Sequence, residues 1–331
     1  MHTYKALVVD KANGEVELSL RERSLGELPS GEVTIRVAYS SFNYKDALAC
    51  IATGRVAQKY PLVPGIDLAG EVVESTEPKF SKGEQVVLTG YGLGVSHDGG
   101  FSELARVPAD WLVPLPEGLT SKEAMILGTA GFTAGLSLLK MEMNGLSPEN
   151  GTVLVTGATG GVGSVAVSLL ARRGYQVAAS TGKMQEAEYL EKLGAREILS
   201  REEVSGEAER PMEKGRWAGA VDPVGGMTLA YLTRTMQYGG VIASCGLTGG
   251  VKVSTTVYPF ILRGVSLLGI DSVMCPRDKR VEVWKLLAEA KHDGGWLEAI
   301  SNEVTLDAVP GLVEQIMQGK IRGRTVVKVG G

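Results

Sequence analysis

Cysteine is scarce in this chain, whose 331 residues include only Cys50, Cys245 and Cys275. Three distant cysteines without a CxxC pair exclude a disulfide framework and favour a reducing compartment. No stretch of about 18 apolar residues runs uninterrupted, and the N-terminus lacks the apolar segment of a signal peptide. The sequence therefore predicts a soluble, cytoplasmic protein without a membrane span.

Long basic runs are also missing, and the formal net charge is −4. This argues against a nucleic-acid or anionic-membrane surface. A small basic cluster near the C-terminus, Lys320, Arg322 and Arg324, could still contact a phosphorylated ligand. The three histidines, at positions 2, 97 and 292, all lie far from the cysteines in the sequence. Because zinc sites need clustered Cys and His ligands, no metal site is expected.

The pattern of apolar residues changes near residue 120, and the length suggests two domains. Residues 1–120 hold short alternating or β-branched segments between Gly, Pro and Asn turns, which is typical of a β-barrel or sandwich. Residues 121–272 alternate helical and strand patterns, which predicts an α/β fold with a doubly wound parallel sheet. Residues 273–331 hold one helix and a terminal strand, RTVVKVG, that returns to the first domain.

The second region opens with a helix-start signal at Thr120-Ser121-Lys122-Glu123. The segment that follows, SKEAMILGTAGFTAGLSLLKM, is predicted to form one helical stretch.

The sharpest motif is a glycine-rich turn between an apolar strand, GTVLVTGA, and an apolar helix, GGVGSVAVSLLARRG. Such a turn brings bare backbone against a pyrophosphate, while the helix N-terminus points N–H groups at the anion. Gly160 would allow the backbone to approach the pyrophosphate closely, and Gly163 would allow the helix to pack on the strand. Ala158 replaces the first glycine of the G-x-G-x-x-G pattern. An ordinary βα turn is the alternative. We predict a dinucleotide site formed by Thr159, Gly160, Gly161, Val162 and Gly163.

The tip of the next strand reads Ser180-Thr181-Gly182-Lys183 and carries no carboxylate, which an NAD ribose site would have. Ser180 can donate a hydrogen bond to a 2′-phosphate, Lys183 supplies positive charge, and Arg201 could close the same pocket. A solvated lysine at a helix start, with Ser180 as its cap, is the alternative. The sequence therefore predicts NADPH rather than NADH.

Three further segments are SSFNYKDALA at 40–49, YPLVPGIDLAGEV at 60–72 and PFILRGVSLLGIDSV at 259–273. With the AxxGGVG turn they resemble the zinc-independent medium-chain dehydrogenase/reductases, and among these the bacterial acrylyl-CoA reductase and quinone oxidoreductase branch. The resemblance covers the whole chain. It implies a GroES-like β-barrel catalytic domain plus a Rossmann domain, a cleft between them, and a homodimer formed through the edge strand VSLLGID. The zinc ligands of the superfamily align with Asn43, Ile66 and a position near Thr133, so no metal is implied.

The resemblance also implies site residues. Asn43 and Tyr44 would lie at the nicotinamide, where hydride reaches the β-carbon of an unsaturated thioester or ketone. Tyr44, Asn43 or a ribose hydroxyl would then hold the enolate oxygen. The alternative is that Asn43 only caps a helix and Tyr44 only packs against the cofactor. Further cofactor contacts implied by resemblance alone are Gly246, Leu247, Ile261 and Ser272.

Three functions remain open at this stage. The first is NADPH-dependent reduction of an activated double bond in acrylyl-CoA, a similar short enoyl-CoA or an enone. Quinone reduction uses the same hydride donor and a similar flat, electron-poor acceptor. A protein that binds NADPH without turnover is the third, and the Asn43–Tyr44 pair and the lack of a regulatory or DNA-binding domain argue against it.

Overall fold

The computed structural model describes residues 3–12, 15–207, 210–291 and 295–330. The chain divides into two compact units. The first comprises Met1–Thr129, Val273–Lys291 and Leu297–Gly331, and the second comprises Ala130–Ser272 and His292–Trp296. The three-part division proposed from the sequence, with boundaries after residues 120 and 272, stays a prediction about functional domains.

The described residues form strands and α-helices in the following order. The strands are β1 (Thr3–Ala12), β2 (Glu15–Ser24), β3 (Val33–Phe42), β4 (Asp67–Ser75), β5 (Gln85–Thr89), β6 (Leu104–Val107), β7 (Val113–Pro114), β8 (Thr152–Val155), β9 (Gln176–Thr181), β10 (Glu197–Ser200), β11 (Trp217–Asp222), β12 (Met236–Ser244), β13 (Ser266–Gly269), β14 (Ser301–Thr305) and β15 (Arg324–Lys328). The helices are α1 (Tyr44–Ala49), α2 (Ser121–Met143), α3 (Gly161–Arg172), α4 (Ala187–Lys192), α5 (Gly226–Thr235), α6 (Tyr258–Arg263), α7 (Arg277–Lys291), α8 (Trp296–Ile300) and α9 (Pro310–Met317).

The first unit is mainly β-structure. Its larger sheet has the order β14-β15-β3-β4-β5-β7, with β6 also paired to β3, while β1 and β2 form a separate antiparallel pair. Alternation explains the core, since Val33, Ile35 and Val37 of β3 are fully buried and Arg36 between them is exposed. The terminal strand β15 pairs antiparallel with β3. Strand β15 therefore belongs to the same sheet as β3, β4 and β5.

The second unit is a parallel sheet of order β10-β9-β8-β11-β12-β13. The connections between consecutive strands contain α3, α4, α5 and α6. The apolar residues of β8 and β11 are buried, as expected for central strands covered on both faces. This strand order is that of a doubly wound sheet, in which ligands bind at the carboxyl ends of the strands. The predicted α/β fold class is confirmed.

Helix α2 starts at the predicted place, because Thr120 and Glu123 bond each other's backbone N–H groups at 2.8 Å and 3.2 Å. Its interior differs from the prediction of one continuous helical stretch. Gly128 has φ 50° and ψ −156°, which interrupts the helix. A Cβ atom there would lie 2.6 Å from the Asp67 carboxylate and 2.8 Å from Arg324 Nη2, so only glycine fits. The interruption is imposed by long-range packing that local helix propensity does not report.

By length and composition, α2 is the one helix of the described chain that could cross a membrane. Of its 18-residue apolar window, 83% is buried, which is the environment of a core helix.

Candidate functional site

The turn between β8 and α3 has the geometry of a phosphate cradle. Gly157 adopts φ +53°, and Gly160 is extended at the N-cap of α3. A Cβ atom at Gly163 would lie 2.5 Å from the carbonyl oxygen of Gly157 and 2.6 Å from Cα of Ala158. Gly163 therefore lets α3 pack directly on the turn, and the first N–H groups of a helix are free to bind an anion. Three residues of this turn are half-buried, namely Gly160, Gly161 and Val162.

Substituting Gly163 by Ala tests this packing. Because the nearest atoms are backbone and cannot rotate away, we expect a loss of stability of about 1–3 kcal/mol. The displaced turn should also weaken NADPH binding by roughly tenfold or more. Thermal unfolding and a fluorescence titration measure the two effects. Gly311→Ala is the matched control, since Gly311 lies in the first turn of α9 with no atom within 4 Å of its Cβ position. Equal behaviour of both variants would contradict the close-packing argument.

The tip of β9 lies beside this turn. Thr159 Oγ1 and Thr181 Oγ1 share a hydrogen bond of 3.0 Å, and the backbone N of Lys183 donates to Thr181 Oγ1 at 3.0 Å. A Cβ atom at Gly182 would lie 2.5 Å from Arg201 Nη2 and 2.8 Å from Arg201 Cζ. The guanidinium of Arg201 therefore lies against Gly182, on the side where another residue would carry its Cβ atom. Two cationic residues, Lys183 and Arg201, follow the ends of the neighbouring strands β9 and β10.

Ser180 lies at the same strand tip. Its side chain is buried, and its hydroxyl donates to the carbonyl oxygen of Ser200 at 3.3 Å. That bond connects β9 to β10 and supports the position of Arg201, which is the next residue. The Ser180 hydroxyl thus has an acceptor inside the protein, and its contact with a 2′-phosphate stays a prediction, as do those of Lys183 and Arg201.

A third loop follows the carboxyl end of β11. Asp222 is fully buried and accepts from Thr156 Oγ1 at 2.5 Å, from Val224 N at 3.1 Å and from Gly225 N at 3.0 Å. Burial raises the pKa of its carboxyl. Asp222 thereby fixes the ends of β8 and β11 relative to each other, where a doubly wound sheet holds its ligand.

The remaining predicted cofactor contacts come after β12 and β13 in the sequence. A Cβ atom at Gly246 would lie 2.2 Å from the carbonyl oxygen of Pro223, so the fold itself demands glycine there. Leu247 and Ile261 are exposed, Ile261 on α6, and Ser272 follows β13. Their cofactor contacts stay predictions.

Asn43 and Tyr44 lie where β3 passes into α1. Tyr44 is the first helical residue and its side chain is 37% exposed. Asn43 is the N-cap residue and is buried. Its Nδ2 donates to Asp67 Oδ2 at 2.8 Å and to Asp46 Oδ2 at 3.1 Å, and its Oδ1 accepts from Arg324 Nη1 at 3.1 Å. The Asn43 amide is therefore engaged inside the protein, whereas Tyr44 is the exposed residue of the pair.

Asp46, Asp67 and Arg324 form a buried charge cluster around Asn43. Burial, followed by the negative charge of Asp67, raises the pKa of Asp46 to about 7. Burial lowers the pKa of Arg324, while Asp67 and Asp46 oppose that shift. The suggestion that Arg324, with Lys320 and Arg322, could contact a phosphorylated ligand is wrong for Arg324, because its side chain is buried and bonds Asn43 and the carbonyl oxygen of Ile126.

Comparison with known proteins agrees with this geometry. Residues 29–117 match the alcohol dehydrogenase GroES-like domain, and residues 161–289 match the zinc-binding dehydrogenase domain. Acrylyl-CoA reductase AcuI of Ruegeria pomeroyi is 50% identical over 329 residues, covering 98% of this chain and 99% of that protein. The chain belongs to the medium-chain dehydrogenase/reductase family. As a member of that family it is an oxidoreductase.

Two solved structures of family members match almost the full length. The yhdH oxidoreductase of Salmonella enterica in complex with NADP is 47% identical, with a TM-score of 0.96 over 98% of this chain and 100% of that one. The yhfP protein of Bacillus subtilis with NAD bound is 53% identical, with a TM-score of 0.96 over 99% of this chain and 100% of that one. The predicted family resemblance is therefore confirmed.

Two buried carboxylates, one in each unit, were missed by sequence reasoning. Asp222 ends the apolar strand WAGAVD, and Asp67 stands inside the apolar run LVPGIDLAG. A carboxylate among buried apolar residues needs a partner, so each position carried a usable signal. The identity of the hydrogen-bond donors depended on the folded chain: Thr156 bonds Asp222, and Ser41, Asn43 and Thr129 bond Asp67.

Proposed function

We propose that the protein is an NADPH-dependent reductase of activated carbon–carbon double bonds, with acrylyl-CoA or a similar short enoyl-CoA as acceptor. The observation that carries the cofactor choice is the approach of Arg201 to Gly182 beside Lys183, which provides two positive charges where a 2′-phosphate would lie. The acceptor class is supported by the Ruegeria relative, which is named acrylyl-CoA reductase.

The residues present fit a dinucleotide. The turn leaves no room for a side chain at Gly163 and little at Gly160, and the N-terminus of α3 offers N–H groups to a pyrophosphate. When bound, NADPH would supply a hydride from C4 of its nicotinamide. Thr159 and Val162 would contact the phosphates, and Gly246, Leu247, Ile261 and Ser272 complete the proposed contacts.

Tyr44 supplies the polar chemistry in this proposal. As hydride adds to the β-carbon, negative charge develops on the carbonyl oxygen of the acceptor. The hydroxyl of Tyr44 would donate a hydrogen bond to that oxygen, and the α-carbon would then take up a proton from the solvent. Zinc has no part in the proposal, because Asn43 and Ile66 stand where the zinc enzymes of the family carry Cys and His. Among the described residues, no group of three or more His, Cys, Asp or Glu could hold a metal ion.

Quinone reduction is the second candidate. The Bacillus relative, 53% identical over 326 residues, is named as a quinone oxidoreductase on a provisional basis. Steady-state oxidation of NADPH and of NADH with acrylyl-CoA, a longer enoyl-CoA, an enone and a benzoquinone decides between the acceptors. A strong preference for the quinone would make quinone reduction the function in place of thioester reduction. NADPH binding with no oxidation by any acceptor would instead indicate a non-catalytic binding protein.

A cytoplasmic homodimer is part of the same proposal. Strand β13 ends the parallel sheet with one free edge, and Leu267 on it is exposed. Further exposed apolar residues are Val257, Tyr258, Ile261 and Leu262. An unpaired edge with apolar neighbours favours pairing with a second copy. Light scattering should give twice the monomer mass of 35.0 kDa, and a monomeric mass would refute this part.

A further inference from the structure

Asn43, which precedes Tyr44, is hydrogen-bonded to charged groups from three separate elements. Besides the amide bonds of Asn43 to Asp46, Asp67 and Arg324, its backbone N donates to Asp46 Oδ2 at 2.8 Å. Asp46 belongs to α1, Asp67 opens β4 and Arg324 opens β15. An N-cap needs only one acceptor for the first turn of a helix. The additional bonds leave Asn43 no alternative orientation, so the start of α1 is fixed as well.

The same two charges hold the interruption of α2. Asp67 accepts from Thr129 N at 2.9 Å and from Thr129 Oγ1 at 2.5 Å, directly after Gly128. Arg324 Nε donates to the carbonyl oxygen of Ile126 at 2.8 Å, two residues before Gly128. The hydroxyl of Ser41 also donates to Asp67 Oδ2. Asp67 and Arg324 therefore connect the turn before Tyr44 to both sides of the broken helix.

We propose that Asp67 and Arg324 are positioning residues for the reaction: by holding Asn43 and the break in α2 together, they fix the direction in which Tyr44 presents its hydroxyl. The inference rests on the proposed function, in which that hydroxyl donates to the acceptor. Apolar residues of similar volume usually stabilise a core as well as a buried charge cluster does. Such a cluster is better explained by the orientation it imposes, because ion pairs and charge-assisted hydrogen bonds are directional.

Arg324→Lys is the principal test, since lysine keeps the charge but loses the fork that reaches Asn43 and Ile126 at once. We expect kcat to fall roughly ten- to a hundredfold because a small displacement of a catalytic donor is costly. The dissociation constant of NADPH should stay within about threefold, because the phosphate-binding turn belongs to the other unit. Ser41→Ala removes one donor to Asp67 with little change in volume, and we expect a smaller fall in kcat in the same direction.

The matched control is Arg280→Lys. Arg280 is as deeply buried in the same unit, but it bonds Thr89 and Val273 and lies over the ring of Tyr91. We expect it to lower the melting temperature as Arg324→Lys does, with kcat near that of the unmodified protein. If both variants lose kcat in proportion to stability, Arg324 is merely structural and the inference is overturned.

A double-mutant cycle with Tyr44→Phe shows whether Arg324 acts through Tyr44. If it does, Arg324→Lys should change kcat by less than about threefold in the Phe background, because the donor is already gone. Additive losses would overturn the inference and leave the reductase proposal intact. A fully active Tyr44→Phe variant would also overturn it. If none of the acceptors supports NADPH oxidation by the unmodified protein, the proposed function is refuted, and the inference with it.

Discussion

Replacing Lys183 and Arg201 together by alanine is expected to weaken NADPH binding about a hundredfold or more and to leave NADH binding within about threefold. In the proposed complex each cation would form a charge-assisted hydrogen bond with the 2′-phosphate, whereas NADH carries only a hydroxyl at that position. Fluorescence titrations with both dinucleotides measure the change. Because both groups are at least partly exposed, the NADPH advantage of the unmodified protein should also shrink as salt is raised.

Lys192→Ala with Arg196→Ala is the control for charge alone. Lys192 pairs with Glu188 on α4, and Arg196 is exposed before β10, so the pair removes the same net charge from the same unit. We expect almost unchanged affinity for either dinucleotide. A parallel loss of NADPH and NADH affinity in the Lys183 and Arg201 variant would show a damaged fold rather than a lost phosphate contact. Equal affinity of the unmodified protein for both dinucleotides would remove the NADPH assignment itself.

The second large effect is expected for Tyr44→Phe. The substitution keeps the aromatic ring and removes only the hydroxyl, so packing against the cofactor should persist. Loss of one donor to a developing oxyanion lowers kcat by about a hundredfold or more. We therefore expect kcat with the best acceptor of the panel to fall by this factor, while the KM for NADPH changes little.

Tyr39→Phe provides the comparison. Tyr39 lies on β3, five residues before Tyr44, and is half-buried. Its substitution should leave kcat almost unchanged. If Tyr44→Phe retains full turnover, the hydroxyl is not the donor, and the alternative of a cofactor-packing tyrosine after an N-cap asparagine is correct.

The sequence allowed the phosphate-binding turn to be located because its signal is local. An apolar strand, a glycine run and an apolar helix follow one another within about twenty residues. The proximity of Arg201 to the β9 tip was also predictable, since parallel strands bring their carboxyl ends to one edge and β10 pairs with β9. Local periodicity and sheet geometry thus explain most of the second unit.

The cluster around Asn43 was not predictable in the same way. Arg324 stands in a short basic stretch, KIRGR, whose composition is typical of a solvated turn. Its burial follows from the pairing of β15 with β3, a contact between distant parts of the chain. The break at Gly128 has the same origin, because the glycine is required by the Asp67 and Arg324 side chains and not by its neighbours in sequence. The pairing of two distant segments does not alter the spacing of apolar residues within either segment, so sequence periodicity does not reveal it.

The place of β15 in the first unit has a consequence for biosynthesis. The segment Ala130–Ser272 of the second unit is contiguous, so most of that unit leaves the ribosome in one piece and can form its parallel sheet early. The first unit must wait longer, since Arg324 and the strand it begins are translated after the whole of that segment. Until then Asn43 lacks the guanidinium that it bonds, so a nascent chain can form the parallel sheet of the second unit before the turn that carries Tyr44 is held in place.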